Sequence, residues 1–368
     1  DAFAKLTIIF IGAALLCLAV PIASAVTINS VAGSVSHGSV ITISGSAFGI
    51  KNNPTQAVAA APILWDLGTV QYIGGVNANA YSSLSDGNII NTQVYSKITC
   101  GEYLSGGEDT KYTTSRSNRH PFVSAHYYTS GPKLCIGFEN SVYPGGANPP
   151  SPQKKFYLSF YRKLAIGANT GADTGTTKIM RIDTIPYSGL GGTSFLAHQG
   201  YFSNVGDSWI NAGTETNWVR WEMYVDSIRQ WFDVYKNGHY HQGINSGVGG
   251  NAEIRPAADW RYRIPGVSGN EFNPGISASA SLVPALFGID FTAQWPGQQT
   301  DLSEVYYDNT LARVEISDSP TWNEGPSATA TREVQGRLLT WSDNTITLNF
   351  YQGAFTSGQT VYVYVIDG

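Results

Sequence analysis

Apolar and polar side chains alternate along three stretches in the middle of the chain, as they do in β-strands whose two faces differ. In "KKFYLSFYRK" (154–163), phenylalanine and leucine alternate with tyrosine and serine. "NWVRWEMYVD" (217–226) and "WFDVYKNGHYH" (231–241) show the same period of two. Asn237 and Gly238 both tolerate positive φ, which predicts a two-residue hairpin turn between neighbouring strands. The pattern therefore predicts an antiparallel sheet in the central part of the chain.

Both ends of the chain also carry strand patterns, although neither end holds enough strands for a sandwich of its own. "VITISGSAFG" (40–49) is a short apolar strand that runs into a glycine-flanked turn. Far downstream, "LTWSDNTITLNFYQGAFTSGQTVYVYV" (339–365) contains two further alternating strands. Together with "INSVAGSVSHGSVITISGSAFG" (28–49), this segment resembles a TIG domain, also called IPT, which is a small immunoglobulin-like sandwich. The resemblance implies that residues 26–60 and 319–368 form one sandwich whose two halves are separated in the sequence.

The long segment between the two halves, residues 61–318, is then an inserted domain, because insertions succeed at exposed turns whose ends lie close together. Its stretch "NWVRWEMYVD...RQWFDVYKNGHYHQG" resembles the laminin-G-like or concanavalin-like jelly roll, which implies a large antiparallel sandwich. "LSEVYYDNTLARVEI" (302–316) is expected to be its last strand, which returns the chain to the small sandwich. The predicted fold class is all-β, a small immunoglobulin-like sandwich made by both chain ends with a large inserted jelly roll.

Composition agrees with many short strands joined by tight turns. The 368 residues include 40 glycines and 17 prolines, 42% are hydrophobic and 12% are aromatic, while only 13% are charged. The net charge is −5, and no run of Lys and Arg is longer than a pair. A nucleic-acid partner is not expected, because binding of phosphate groups requires a basic surface.

The N-terminal residues 1–25 have the pattern of a secretory signal peptide. Lys5 precedes the apolar run "LTIIFIGAALLCLAV", and Pro21 and the small residues "ASA" (23–25) follow it. We expect cleavage after Ala25 and a secreted, extracellular or cell-surface protein. The alternative is a retained hydrophobic helix, either as a membrane anchor or in a pilus-like filament whose subunits self-assemble.

The mature chain contains two cysteines, Cys100 and Cys135. An even pair in an oxidising compartment predicts a disulfide bond, and two buried thiols are the alternative. Neither cysteine belongs to a cluster with the spacing of a metal site. Asp173 and its neighbours could hold Ca²⁺ through oxygen ligands, but they lack the spacing of an EF-hand loop. No other cofactor is expected.

The candidate functional face consists of the side chains that alternate with the apolar ones on the central strands. It offers aromatic rings next to charged groups, and the candidate glycan-binding residues are Arg220, Glu222, Tyr224, Trp231, Asp233 and Tyr235. Ring faces cover the C–H patches of a pyranose, while guanidinium and carboxylate groups hydrogen-bond its hydroxyls. The alternative is an ordinary solvated sheet face, in which aromatic cross-strand pairs stabilise without binding a ligand.

Catalytic patterns are weaker. Glu222 and Asp233 could act as the paired carboxylates of a glycoside hydrolase, although no spacing fixes the distance between them. A polysaccharide lyase could use arginine, histidine and tyrosine, which occur together at positions 116–128. We therefore expect a bacterial-type secreted or cell-surface protein that binds a polysaccharide or cell-surface glycan and acts in adhesion without catalysis. An extracellular lyase or hydrolase on the jelly roll, and a filament subunit, are the two alternatives.

Overall fold

The computed structural model describes seventeen segments of the chain. These are residues 25–51, 62, 64–68, 70–73, 76–80, 84–88, 110–129, 133–136, 154–166, 178–185, 194–198, 202–204, 217–226, 231–240, 281–290, 299–323 and 329–366. Within these segments there is no helix long and apolar enough to cross a membrane.

The described segments contain strands, turns and irregular stretches. In chain order the strands are β1 (Thr27–Gly33), β2 (Val40–Ser46), β3 (Leu64–Asp66), β4 (Val70–Ile73), β5 (Val76–Ala80), β6 (Lys111–Thr113), β7 (His126–Thr129), β8 (Lys133–Ile136), β9 (Lys155–Ile166), β10 (Lys178–Ile185), β11 (Ser194–His198), β12 (Phe202–Asn204), β13 (Val219–Asp226), β14 (Trp231–Lys236), β15 (His239–Tyr240), β16 (Ser281–Asp290), β17 (Gln299–Asp308), β18 (Arg313–Ser317), β19 (Arg332–Val334), β20 (Leu338–Trp341), β21 (Thr345–Asn349) and β22 (Tyr362–Ile366). The predicted all-β class is confirmed.

The largest sheet is antiparallel and contains the three strands expected from the central pattern. Its order is β15-β14-β13-β9-β17-β3-β4-β5, with β7 also paired to β17 and β6 paired to β7. The predicted hairpin turn between β14 and β15 is present, with φ of 53° at Asn237 and 79° at Gly238. A second antiparallel sheet has the order β12-β11-β10-β16-β8.

The two ends of the chain meet in one sheet, of order β1-β2-β21-β20. Strand β2 pairs with β21 in a register that places Ile41 opposite Leu348 and Ile43 opposite Ile346. All four side chains are buried. Residues more than 300 positions apart in the chain are therefore hydrogen-bonded neighbours.

A smaller sheet, of order β19-β18-β22, shares a core with the sheet that joins the chain ends. The members of this core come from both ends of the chain, and they are Ile41, Ile43, Phe48, Ala312, Val314, Ile316, Leu338, Trp341, Ile346, Leu348, Phe350 and Phe355, with Val361, Val363 and Val365 packed against them. We refer to these two sheets together as the small sandwich.

The expected single strand over 302–316 is wrong. Two strands occupy this stretch, because the chain turns at residues 309–312 between β17 and β18. Strand β17 pairs with β9 in the large sheet, whereas β18 pairs with β19 and β22 in the small sandwich. The chain therefore re-enters the small sandwich before residue 318, at the turn after Asp308.

A buried ion pair joins the points where the chain leaves and re-enters the small sandwich. Lys51, shortly after β2, donates to the carboxylate of Asp308 at the end of β17 and to the carbonyl oxygen of Ala312, 2.7 Å away. The Lys51 ammonium also lies 5.2 Å from the ring centre of Trp341. These contacts hold the exit and the return of the chain side by side.

Several sequence predictions fall outside the described residues. These are the signal peptide up to residue 24, Cys100, the side chain of Cys135 and the loop that contains Asp173.

Gly336, between β19 and β20, lies against the large sheet. Its replacement tests how closely the small sandwich packs on that sheet. A Cβ atom at this position would overlap the indole ring of Trp65. That ring is buried, and the ring of Tyr351 lies 5.3 Å from it, so Trp65 has little room to move. We expect Gly336→Ala to lower the free energy of unfolding by about 1–3 kcal/mol, measured by urea denaturation.

A double-mutant cycle separates this overlap from other effects of the added methyl group. Trp65→Phe leaves space beside position 336, so Gly336→Ala should cost less in that background than in the wild type. Strictly additive losses would contradict the contact.

Candidate functional site

The structure places the predicted glycan-binding residues side by side on neighbouring strands. In the β13–β14 register Glu222 lies opposite Tyr235, and Tyr224 lies opposite Asp233. On the other side of β13, Arg220 lies opposite Tyr161 of β9. The alternation of side chains along the strands therefore identified residues that are neighbours in the large sheet.

The expectation that this face is open to solvent is wrong for three of these residues. Arg220, Glu222 and Tyr235 are 3%, 1% and 0% exposed. The small sandwich covers Arg220 and Glu222, because Arg220 donates to Glu315 of β18 and to the carbonyl oxygen of Arg332 of β19, and the Arg332 guanidinium lies near Glu222. Apolar residues of β9 and β13 that project to the opposite face, such as Leu158 and Trp221, are buried as well. The side chains of Trp231 and Asp233 lie outside the described set.

Arg220 is the centre of the first group of contacts across this boundary. Its Nη2 donates to the hydroxyl of Tyr157 at 2.9 Å and to Oε2 of Glu315 at 3.1 Å, and its Nη1 donates to the carbonyl oxygen of Arg332 at 2.8 Å. Arg220 Nη2 also lies 3.0 Å from Oε1 of Glu222. One guanidinium group of the large sheet thus binds two elements of the small sandwich.

Strand β18 contributes the matching charges. Nε of Arg313 donates to Oε1 of Glu315 at 2.5 Å, and the Arg313 guanidinium carbon lies 4.1 Å from the ring centre of Tyr157. Arg313 also donates to the hydroxyl of Tyr224. Burial by itself raises the pKa of Glu315, but the nearby guanidinium groups outweigh it and lower that pKa to about 2. Glu315 is therefore ionised in the folded protein at neutral pH.

Glu304 is the centre of a second group, and a β-bulge brings it there. The β17–β9 register shifts between Ser303 and Tyr306, so that two residues of β17 oppose one residue of β9. Glu304 has a φ of 54°, which is the left-handed region that non-glycine residues rarely adopt. A strained backbone of this kind persists only where the surrounding contacts hold it.

The contacts that hold Glu304 come from both parts of the molecule. Arg119 donates two hydrogen bonds to it, from Nε at 2.6 Å and from Nη2 at 2.5 Å. Tyr351 of the small sandwich donates its hydroxyl proton to Oε1 at 2.6 Å, and Nε2 of His120 lies 3.0 Å from the same oxygen. Burial by itself raises the pKa of Glu304, but Arg119 and His120 outweigh it and hold that pKa well below its usual range.

Arg119 also reaches a second carboxylate, which belongs to β19. Its Nη1 donates to Oε1 of Glu333 at 2.7 Å, and the hydroxyl of Tyr161 donates to Oε2 of Glu333 at 3.0 Å. The Arg119 guanidinium carbon stacks 3.6 Å from the ring centre of Tyr161. Arg119 therefore bridges Glu304 of the large sheet and Glu333 of the small sandwich.

A third group lies within the large sheet. Arg116 forms a two-pronged pair with Asp301, with both nitrogen to oxygen distances at 2.6 Å, and Nε2 of His126 lies 2.8 Å from Asp301 Oδ1. The arginines and histidines considered for a lyase are thus divided between two internal carboxylates, Glu304 and Asp301.

We call the contacts between the large sheet and the small sandwich the polar seam. Its members are Arg119, His120, Tyr157, Tyr161, Arg220, Glu222, Glu304, Arg313, Glu315, Arg332, Glu333 and Tyr351. Each carboxylate of the seam lies beside at least one guanidinium group. Such a buried, mutually neutralised set positions two bodies relative to each other. Among the described residues no group of three or more His, Cys, Asp or Glu side chains is placed to hold a metal ion.

The sequence patterns missed the small-sandwich half of the seam. Arg313 and Glu315 alternate with Val314 and Ile316, which is the pattern of a strand with one wet face. The pattern does not reveal that the charged face meets a second charged face. Arg332, Glu333 and Tyr351 carry no local signal, because their partners in the seam lie between 47 and 231 residues away in the chain.

The comparisons with known proteins give no family. No protein-family model matches the chain, and no curated protein matches it. Similar solved structures include a Trypanosoma rangeli sialidase in complex with 2,3-difluorosialic acid, with 12% identity, 56% of this chain and 30% of that chain covered, and a TM-score of 0.29. The binding domain of botulinum neurotoxin DC in complex with rat synaptotagmin II has 10% identity, 68% and 48% coverage, and a TM-score of 0.29. The binding domain of Paraclostridial Mosquitocidal Protein 1 has 11% identity, 67% and 48% coverage, and the same TM-score of 0.29.

This chain therefore spans less than half the length of each of these three structures. Similarity at this level carries no argument about activity.

Proposed function

We propose that this protein is a secreted or cell-surface carbohydrate-binding and adhesion protein that acts without catalysis. In this proposal the small sandwich is a TIG-like domain, the inserted segment is a laminin-G-like jelly roll, and the partner is a polysaccharide or a cell-surface glycan. The signal-peptide pattern supports the location, and the pairing of the two chain ends in one sheet supports the split small sandwich.

The polar seam is the observation that carries the proposal. All of its carboxylates are buried beside guanidinium groups, and arginines hold Glu304 and Glu315 ionised, so these charges are already balanced within the protein. Groups in this state hold two all-β bodies in a fixed arrangement. An adhesive protein benefits from such a joint, because a rigid surface loses little conformational entropy when it binds a polymer.

A second candidate function is favoured by one observation. The structure brings Arg119, His120 and Tyr351 together around Glu304, and arginine, histidine and tyrosine are the residue types proposed for a polysaccharide lyase. In such an enzyme the guanidinium and imidazole groups would contact the carboxylate of a uronic acid. In this protein the carboxylate of Glu304 makes these contacts with Arg119 and His120, and Tyr351 and His120 are buried. A lyase activity would therefore require the small sandwich to move away.

One experiment separates the two functions. The full chain is run by affinity electrophoresis in gels that contain mixed-linkage β-glucan, xylan, galactomannan or alginate, and parallel incubations are assayed for new reducing and unsaturated ends. We expect retardation in at least one gel and no new ends. New unsaturated ends from alginate, lost in Tyr351→Phe, would establish the lyase instead. Absence of both retardation and new ends would refute the proposed function.

A further inference from the structure

We propose that the glycan contact lies on an aromatic surface beside the polar seam, and that it takes a neutral pyranose polymer. The surface consists of Trp322, Tyr362 and Tyr364, and we call it the aromatic shelf. This inference rests on the proposed function and assigns its site to residues that the sequence patterns did not select.

Strand β22 sets the direction of the two tyrosines. Val363 and Val365 pack against the core of the small sandwich, so the period of two sends Tyr362 and Tyr364 to the opposite face of the sheet. That face is the one on which Glu315 of β18 meets the large sheet, since Glu315 lies opposite Tyr364 in the β18–β22 register. The shelf therefore continues the seam outward to the first residue of β22.

Three interactions hold the inner part of the shelf in place. The hydroxyl of Tyr364 donates to the carbonyl oxygen of Ser319 at 2.5 Å. The rings of Trp322 and Tyr364 lie 5.0 Å apart at an angle of 54°, and the guanidinium carbon of Arg332 lies 4.2 Å from the ring centre of Trp322. Because these rings are already fixed, a ligand would not have to order them.

The outer part of the shelf is open. Tyr362 is 39% exposed, and no other Phe, Tyr or Trp side chain among those described is as accessible. It adjoins Tyr364 closely enough to raise the pKa of that residue, a shift caused first by burial and then by Tyr362. The segment that follows β18 exposes the polar side chains of Asp318 and Thr321. An open ring, two fixed rings and a polar rim occur here together.

This combination suits a sugar. The axial C–H groups of a pyranose pack on a ring face, and its hydroxyls can bond to the tyrosine hydroxyl and to the carboxylate and hydroxyl of the rim. The rim is uncharged except for Asp318, whose Oδ1 accepts a hydrogen bond from the backbone N–H of Thr331 at 3.0 Å. A polyanion would face this carboxylate without an open cationic group among the described neighbours, so we assign a neutral polymer.

The test compares full-length variants in the same gels of mixed-linkage β-glucan, xylan, galactomannan and alginate. Tyr362→Ala removes the open ring at an exposed position, and we expect its dissociation constant for the retarding neutral polysaccharide to rise about tenfold with an unchanged melting temperature. Tyr362→Phe keeps the ring and should lose less than Tyr362→Ala. Ile50→Ala, at a side chain that is 71% exposed in the segment after β2, is the matched control and should bind as the wild type does.

The outcomes are distinct. If the wild type is retarded and Tyr362→Ala is retarded equally, the shelf is not the site, although the proposed function stands. Retardation by alginate alone would overturn the assignment to a neutral polymer. If no gel retards the wild type, the proposed function fails and the shelf fails with it. If Tyr362→Ala changes the oligomeric state in size-exclusion chromatography but not the retardation, the shelf is a contact between copies of the chain.

Discussion

Arg119→Met is expected to destabilise the folded protein by about 3–5 kcal/mol, because it leaves two buried carboxylates without their shared counter-ion. Arg119 donates to Glu304 of the large sheet and to Glu333 of the small sandwich. Methionine roughly preserves the volume of the side chain, so the loss would reflect charge and hydrogen bonding more than a cavity. The measurement is the free energy of unfolding at pH 7, obtained by urea denaturation.

Arg116→Met is the graded control. Arg116 pairs with one carboxylate, Asp301, and its side chain is 24% exposed, whereas Arg119 pairs with two carboxylates and is 8% exposed. Water can therefore compensate in part for the loss of Arg116, and the effect should be clearly smaller than for Arg119→Met. Equal losses of unfolding free energy for the two variants would contradict the prediction that Arg119 stabilises the protein by bridging Glu304 and Glu333.

The all-β class and the face assignment on the central strands could be predicted because each depends on short-range alternation. Phe156, Leu158 and Met223 are buried on the face where the pattern placed them. The turn at Asn237 and Gly238 could also be predicted, since positive φ at both positions is a local requirement.

The break between β17 and β18 was missed for a physical reason. Both strands have polar and apolar alternation, and the turn at residues 309–312 contains no glycine or proline that would mark it. Which sheet each strand joins depends on partners that lie far along the chain.

At the candidate site, the alternation of side chains predicts even less of the structure. A period of two states that Arg220 and Glu222 share a face, but it does not state what covers that face. Polar residues in a strand normally indicate solvent, and here Glu315 and Arg332 occupy that space. The sequence pattern did not identify the aromatic shelf either. Tyr362 and Tyr364 alternate with valines, as side chains of an ordinary edge strand do.

Acid should lower the free energy of unfolding of the protein. The direction of this change follows from the lowered pKa values of two carboxyls of the polar seam, Glu315 and Glu304. The pKa of Glu315 falls from an ordinary value of 4.5 to about 2, since its guanidinium neighbours outweigh the effect of burial. The pKa of Glu304 is lowered in the same way by Arg119 and His120. A carboxyl whose pKa is depressed in the folded state adds stability above its unfolded pKa, and this stability is lost as the pH falls through the folded pKa. The window for Glu315 therefore extends from about pH 4.5 down to about pH 2.

We expect the free energy of unfolding to fall steeply across this window, with Glu315 alone accounting for on the order of 3 kcal/mol. Urea denaturation at pH steps from 6 to 2 measures the slope, and each carboxyl that takes up a proton only on unfolding adds about 1.4 kcal/mol per pH unit. Glu315→Gln keeps the shape of the side chain but cannot titrate, so its slope should be shallower by about one proton in the middle of the window, even though its stability at pH 7 is lower. Added salt should change this difference little, because the ion pairs of Glu315 with Arg220 and Arg313 are buried. A slope that Glu315→Gln leaves unchanged would show that the ionisation of the seam does not control the stability of the protein in acid.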